Sequence, residues 1–262
     1  MLFVYSIIIR LYYICVKLAA FSNKKARDFI DGRKNFSSPK KRTNTSESCI
    51  WFHCASLGEF EQARPLIEWL TENKEHKKIL VTFYSPSGYI IRKNYSHADY
   101  VCYLPLEIPH QIHTFLNQYN PEIAIFIRYE IWPVLLSNLN KRKIPTYLIA
   151  AGFRESHWYF QFYGKWLLPY LKNFQTIYHA NEPSFNLAIQ QGLLNSKRSG
   201  DPRFDRVLSI SHQANPPMSL LKAYKNVKTL IAGSTWAADM DIILSFPSKF
   251  QDWKWIVVPW IS

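Results

Sequence analysis

Acidic residues are scarce in this 262-residue chain, which has 19 Asp and Glu against 32 Lys and Arg and a formal net charge of +13. The usual nucleic-acid-binding motifs and any internal repeat of fixed period are missing. Residues 1–42 carry ten Lys and Arg and two Asp, beside an apolar N-terminus. This distribution predicts contact with an anionic lipid surface and no nucleic-acid partner.

Cysteine is also scarce, with four residues at positions 15, 49, 54 and 102. Cys49 and Cys54 have no His or Cys partners at zinc-binding spacing, so we expect no metal site and reduced thiols in a cytosolic setting. Hydrophobic residues make up 48% of the chain, which excludes a disordered basic tail.

The N-terminal segment, residues 2–21, is apolar and just long enough to cross a membrane. It opens without the positive charge of a signal peptide. Arg10 and Lys17 interrupt it seven residues apart, on one face of a helix. This pattern favours a helix lying at the membrane surface over a spanning helix or a core helix. The basic cluster after Ser22 indicates the cytoplasmic side.

A polar, turn-rich stretch at 36–48 is followed by a regular alternation of short apolar runs and helical patterns. This alternation predicts an α/β fold with parallel strands and crossover helices. The runs are nearly all apolar, as in strands covered on both faces. We predict strands at 49–54, 79–84, 100–104, 122–127, 145–150 and 176–180, helices at 60–73, 86–94, 109–118 and 133–141, and a long aromatic helix within 156–174.

A second unit is predicted from about residue 216, after the Asn-Pro-Pro sequence at 215–217. Its predicted parts are a strand at 228–232, a turn at Gly233-Ser234-Thr235, a helix from about Trp236 and a strand at 254–258. Two strands with one or two helices cannot bury a parallel sheet by themselves. We therefore expect this unit to be the beginning of a larger domain in a longer protein.

Glu59, in the stretch CASLGEF that follows the first predicted strand, has two interpretations. Ligands of open α/β sheets bind outside the carboxyl ends of the strands, where Glu59 could act as a general base. Glu59 also stands three residues after Ser56, the spacing of a capping box. A helix N-terminus stabilises the charged carboxylate, which would keep Glu59 ionised and make it a weaker base. Both interpretations stay open on spacing alone.

Two further candidate sites follow predicted strands. Glu130, in FIRYEIWP, is either an acid at a helix start or a site residue, and Arg128 beside it is either a surface residue or an anion contact. Arg203, in SGDPRFDRV, could form a local ion pair. The turn at Gly233-Ser234-Thr235 could cap a helix or hold a phosphate on its backbone N–H groups.

Taken in order, these segments resemble the Kdo (3-deoxy-D-manno-octulosonic acid) transferases of lipid A assembly. Each motif alone is weak, but the ordered set is specific and runs along essentially the whole chain. Arg128 and Tyr129 resemble the branch of the family that has a basic residue and Tyr before the Glu of YEIWP, whereas the commoner pattern has Glu-Thr there. The matching segments are GRKN (32–35), ASLGE (55–59), VTFYSPSGY (81–89), YLPLEIP (103–109), YEIWP (129–133), HANEPS (179–184), GDPRFDRV (200–207) and AGSTW (232–236).

The resemblance implies a GT-B glycosyltransferase with two Rossmann-like domains. The family transfers Kdo from CMP-Kdo to the 6′-hydroxyl of a tetra-acylated lipid A precursor, with inversion and without a metal or other cofactor. It works at the cytoplasmic face of the inner membrane of Gram-negative bacteria. The implied domains are a membrane-associated helix and its flank at 1–35, an acceptor-binding domain at 36–215 and the incomplete donor-binding domain at 216–262.

The resemblance also assigns roles to the candidate residues. Glu59 maps to the family's proposed general base. The acceptor or supporting site is formed by Ser56, Gly58, Arg128 and Glu130, and the partial donor site by Arg203, Gly233, Ser234 and Thr235.

The closing VVPWIS departs from the family pattern of Pro-His-Glu. We expect the chain alone to lack a complete donor site and to be inactive. The alternatives are a different lipid-acceptor GT-B glycosyltransferase, against which the ordered motifs argue, and a non-catalytic, membrane-associated α/β remnant.

Overall fold

The computed structural model describes residues 1–34, 48–73, 77–213 and 218–259. Most of the predicted linker at 36–48 and the Asn-Pro-Pro sequence at 215–217 lie outside the described residues. The chain forms two compact units, Met1–Ser209 and Ile210–Ser262. The functional domain boundaries inferred from the family resemblance stay predictions.

The first unit contains a seven-stranded parallel sheet, which confirms the predicted α/β class. Its strand order is β3-β2-β1-β4-β5-β6-β7. All six strands predicted for this unit are present, and a short seventh strand that was not predicted joins the edge. The strands are β1 Cys49–Cys54, β2 Lys78–Phe83, β3 Tyr100–Tyr103, β4 Pro121–Ile127, β5 Thr146–Ala151, β6 Thr176–His179 and β7 Ser196–Arg198.

Helices cover both faces of this sheet, and each face has its own hydrophobic core. Trp51 and Phe126 point into one core with residues of α5 and α6, whereas Phe52 and Ile127 point into the other with residues of α3. Every residue of β1 is therefore buried, which explains why its sequence is apolar except for His53. The helices that lie in this unit or begin in it are α1 Leu2–Ala19, α2 Lys24–Lys34, α3 Leu57–Glu72, α4 Pro86–Arg92, α5 Pro109–Tyr119, α6 Pro133–Lys141, α7 Leu168–Leu171, α8 Glu182–Gln190 and α9 Pro202–Gln213.

The predicted long helix at 156–174 is wrong. The chain instead forms two short 3₁₀ segments, Trp158–Phe160 and Lys165–Leu167, followed by the four-residue α7. Gly164 lies so close to the carbonyl oxygen of Trp158 that a Cβ there would collide with it. Pro169 has no N–H to donate to a preceding carbonyl, which restricts it to the first turn of α7.

Helix α1 packs along one side on the first unit and leaves its other side exposed. Its inward side includes Leu2, Tyr5, Ile9, Tyr13 and Val16, spaced three or four residues apart. Its exposed apolar residues are Phe3, Val4, Ile7, Ile8, Leu11, Ile14 and Leu18. By length and composition, α1 could also cross a membrane.

Polar contacts fasten α1 and α2 to the sheet. The Tyr5 hydroxyl donates a hydrogen bond to Glu107, a carboxylate that is 1% exposed and also accepts from the Leu135 N–H at 2.9 Å. Burial raises the pKa of Glu107 to about 7, although these hydrogen bonds oppose the shift. The buried Arg33 of α2 donates to the carbonyl of Tyr84 at 2.7 Å, just beyond β2.

The second unit contains α10 Met218–Tyr224, β8 Thr229–Thr235, α11 Ala237–Ile243 and β9 Lys254–Pro259. Strands β8 and β9 pair in parallel. The predicted turn at Gly233-Ser234-Thr235 is wrong, because β8 continues through these residues and Thr235 pairs with Pro259. The pairing register shifts at Ser234, whose φ of 57° places it in the left-handed region.

Candidate active site

The candidate site lies at the carboxyl edge of the first unit's sheet, where β1 and β4 are neighbours. Strands β2 and β3 follow β1 towards one edge of the sheet, and strands β5, β6 and β7 follow β4 towards the opposite edge. The strand order therefore reverses between β1 and β4, which is the usual ligand position in an open α/β sheet. Glu59 follows β1 and Glu130 follows β4, so the fold brings these two carboxylates together.

Glu59 lies in the first turn of α3, with Ser56 as the N-cap. Its Oε2 accepts a hydrogen bond from the Ser56 backbone N–H at 3.0 Å, and its side chain is almost buried, with 9% exposed. Gly58 is exposed, and the nearest atom to a Cβ built there would be Ser56 Oγ at 4.0 Å. A side chain at position 58 would therefore meet no close neighbour.

Burial, followed by the nearby Glu130 carboxylate, raises the pKa of Glu59 to about 7. The backbone N–H groups of Ser56 and Ala55 and the charge of Arg128 oppose this shift without cancelling it. The expectation that the helix N-terminus would make Glu59 a weaker base is therefore wrong. Removal from solvent and a second acid outweigh the local helix effect.

Two ring side chains, Trp132 and His53, approach the Glu130 carboxylate. Trp132 Nε1 donates to Glu130 Oε2 at 2.6 Å, and His53 Nε2 lies 3.6 Å from the same oxygen. The Glu130 side chain is 13% exposed. This carboxylate is positioned from the interior of the domain, while Glu59 is positioned by the start of α3.

Arg128 occupies the turn directly after β4 in a left-handed conformation, with a φ of 69°. Its N–H donates to the carbonyl of Ile149 at 2.9 Å, which ties the turn to β5. A left-handed conformation is uncommon for a residue other than glycine and is found at functional sites more often than elsewhere. The positive charge of Arg128 opposes the rise in the pKa of Glu59 and contributes to the lowered pKa of Asp201, so it acts on both carboxylates.

Arg203 lies in the first turn of α9, after β7. It is exposed, and its Nε donates to Asp201 Oδ2 at 2.8 Å, so the local ion pair weighed from the sequence is present. Burial would raise the pKa of Asp201, but the hydrogen bonds from Arg203 and the charges of Arg203 and Arg128 hold it below its ordinary value. Gly233, Ser234 and Thr235 belong to the second unit, and their donor-binding role stays a prediction.

A family model described as 3-deoxy-D-manno-octulosonic-acid transferase (kdotransferase) matches residues 31–206, more than half of the chain. The chain belongs to this Kdo transferase family. It is 34% identical over 113 residues to the 3-deoxy-D-manno-octulosonic acid transferase of Haemophilus influenzae, a match that covers 42% of this chain and 26% of that protein. With the transferase of Rickettsia prowazekii it shares 23% identity over 255 residues, covering 93% of this chain and 54% of that protein. The chain therefore spans no more than about half the length of these two relatives.

Among solved structures, the chain resembles the UDP-GlcNAc 2-epimerase of Neisseria meningitidis. The TM-score is 0.58 with 14% sequence identity, covering 80% of this chain and 64% of the epimerase. At this identity the likeness shows the fold alone, which is of the GT-B type.

The sequence patterns did not point to His53, a polar residue at the candidate site. His53 is the only ionisable side chain besides the two cysteines in CIWFHC, and it is fully buried. Its Nδ1 lies 2.9 Å from Thr82 Oγ1, which also accepts a hydrogen bond from Trp51 Nε1 at 2.8 Å. A histidine in an otherwise apolar strand was the available signal.

Proposed function

We propose that this chain is the acceptor-binding part of a glycosyltransferase that moves Kdo from CMP-Kdo to the 6′-hydroxyl of a lipid A precursor. Glu59 is the proposed general base. The observation that supports this role is the position of a nearly buried carboxylate, with a pKa of about 7, at the sheet edge where the strand order reverses.

A sugar hydroxyl is a poor nucleophile until its proton is removed. In the proposed step, the hydroxyl oxygen of the acceptor forms a bond to the anomeric carbon of Kdo while Glu59 takes the hydroxyl proton. The bond from that carbon to the phosphate oxygen of CMP breaks, and CMP leaves with the electron pair. Attack from the face opposite CMP inverts the anomeric centre. A base works best when its pKa lies near the working pH, a condition that Glu59 meets at neutrality.

Glu130 and Arg128 support this chemistry in different ways. The negative charge of Glu130 is one cause of the raised pKa of Glu59, so it strengthens the base. Arg128 offers a cation close to the base and to Asp201, where it is suited to contact an anionic group of a substrate, either the Kdo carboxylate or a phosphate. Arg203, Gly233, Ser234 and Thr235 remain the proposed contribution to the donor site.

We also propose that the protein works at the cytoplasmic face of the inner membrane. The exposed apolar side of α1 provides a surface for acyl chains, and the N-terminal excess of basic residues complements anionic headgroups. The inward side of α1 is occupied by packing against the first unit, which favours a helix lying in the membrane surface.

The test is the turnover of a Glu59→Gln variant in the transferase with a complete donor-binding domain, measured with CMP-Kdo and the lipid acceptor. Gln can still accept from the Ser56 N–H but cannot take the proton, so we expect turnover to fall by about 10²-fold or more. Ser56→Ala is the matched control, since it keeps the backbone N–H that holds the Glu59 carboxylate. Near-normal turnover of Glu59→Gln would remove Glu59 from the role of base.

A further inference from the structure

His53 carries a buried polar atom that the rest of the described structure leaves without a hydrogen bond. Its side chain is 0% exposed, and Nε2 has no hydrogen-bond partner among the described residues. Glu130 Oε2 lies 3.6 Å from Nε2. A buried polar group without a partner costs stability, so its presence at the candidate site calls for a reason.

The position of the imidazole proton follows from counting donors around Thr82. The Trp51 indole can only donate, so Thr82 Oγ1 accepts from it at 2.8 Å. If the Thr82 hydroxyl then donates to His53 Nδ1 at 2.9 Å, the neutral imidazole carries its proton on Nε2. Every hydrogen in the chain Trp51, Thr82 and His53 then points at an acceptor.

The other tautomer fits less well. A proton on Nδ1 would turn the lone pair of Nε2 towards the Glu130 carboxylate, and two electron-rich groups would face each other at 3.6 Å. The Thr82 hydroxyl would also need a second acceptor. The arrangement therefore favours an Nε2–H directed at Glu130.

The ring has aromatic neighbours on several sides. Its centroid lies 5.6 Å from that of Phe126, 5.7 Å from that of Trp132 and 6.4 Å from that of Trp51, in tilted or edge-on arrangements. Trp132 is also the residue whose indole donates to Glu130 at 2.6 Å. Both rings that approach Glu130 Oε2 are thus part of one packed group.

We propose that His53 is a positioning residue that donates its Nε2–H to Glu130 and, together with the Trp132 indole, fixes that carboxylate beside Glu59. Hydrogen bonds at active sites are often long in ligand-free proteins and shorten in the complex. The 3.6 Å separation between His53 Nε2 and Glu130 Oε2 is a contact of this kind. The importance of this contact for turnover rests on the proposed function, whereas the contact itself does not.

The first experiment measures the tautomer of His53 in the wild-type chain by ¹⁵N NMR of the imidazole nitrogens. We expect the proton on Nε2. A proton on Nδ1 would overturn the proposal, and this measurement needs neither a variant nor an active enzyme.

The second experiment compares two substitutions that each keep one half of the imidazole. His53→Asn places an amide near Nδ1, where it can still accept from Thr82, but it removes the donor to Glu130. His53→Gln is longer and returns an N–H near the position of Nε2. The readout is the indole N–H signal of Trp132, whose partner is Glu130, with the indole of the exposed Trp69 on α3 as the internal control.

We expect faster hydrogen exchange of the Trp132 indole in His53→Asn and a rate close to that of the wild type in His53→Gln, while the Trp69 indole stays unchanged. In the transferase with a complete donor domain, His53→Asn should lower kcat by about 10- to 100-fold, and His53→Gln should recover most of it. Identical Trp132 signals in the two variants, or equal loss of kcat in both, would refute the positioning role. If Glu59 were not the base, the kcat results would change but the NMR results would still test His53.

Discussion

The most informative perturbation is Glu59→Gln, because it changes stability and activity in opposite directions. The fold holds a carboxylate that is 9% exposed next to a second carboxylate, Glu130, and this environment disfavours the charged form. Gln has nearly the same size, can accept from the Ser56 N–H and carries no charge. It should therefore stabilise the fold at the pH at which Glu59 is ionised.

The magnitude follows from the pKa of Glu59, which rises from an ordinary value of 4.5 to about 7 on folding. One pKa unit corresponds to about 1.4 kcal/mol, so complete ionisation of Glu59 lowers the free energy of unfolding by roughly 3 kcal/mol. The sign follows from the direction of the shift. The folded protein binds the proton more tightly, so the favourable contribution is complete below pH 4.5 and is lost as the pH rises through 7.

The assay is urea unfolding of wild type and Glu59→Gln at intervals between pH 4.5 and pH 8. The gain in stability of the variant should be small at pH 4.5 and grow to roughly 3 kcal/mol at pH 8. Glu72→Gln, at the exposed end of the same helix, is the matched control for losing a charge without the burial. Parallel curves for wild type and Glu59→Gln across this range would show that the environment of Glu59 does not oppose its ionisation.

Two further predictions concern α1. Tyr5→Phe removes the hydroxyl that donates to the buried Glu107 and should lower the free energy of unfolding by about 1–3 kcal/mol, measured by urea unfolding; an unchanged value would mean that this contact does not hold α1. Changing the exposed Ile8 and Leu11 to Gln should reduce sedimentation with anionic vesicles, whereas Leu194→Gln, at an exposed leucine elsewhere on the first unit, should not. Equal sedimentation of all three proteins would contradict membrane binding through this side of α1.

The strand and helix pattern of the first unit could be predicted from sequence because its signals are local. Six strands were predicted from apolar runs between turn residues. The helix predicted at 133–141 has the same bounds as α6 in the structure. The order of short motifs was enough to indicate the family. Glu59 and Glu130 could be placed at one edge of the sheet, because residues that follow parallel strands share that edge.

Features that depend on contacts distant in sequence were decided only by the tertiary structure. The aromatic pattern at 156–174 looked helical, but the close approach of Gly164 to Trp158 and the position of Pro169 break it. Pairing with β9 extends β8 through Thr235, where local sequence indicated a turn.

The chemistry of the site was decided in the same way. Spacing alone linked Glu59 to a helix N-terminus and hence to a lowered pKa. The fold instead buries Glu59 and brings Glu130, 71 positions later in the sequence, close enough to raise the pKa to about 7. The relation between His53 and Glu130 arises only from packing, which places His53 Nε2 3.6 Å from Glu130 Oε2. Sequence determines which groups are available, but desolvation and charge proximity arise from the folded arrangement, so their effect on a proton cannot be obtained from local pattern.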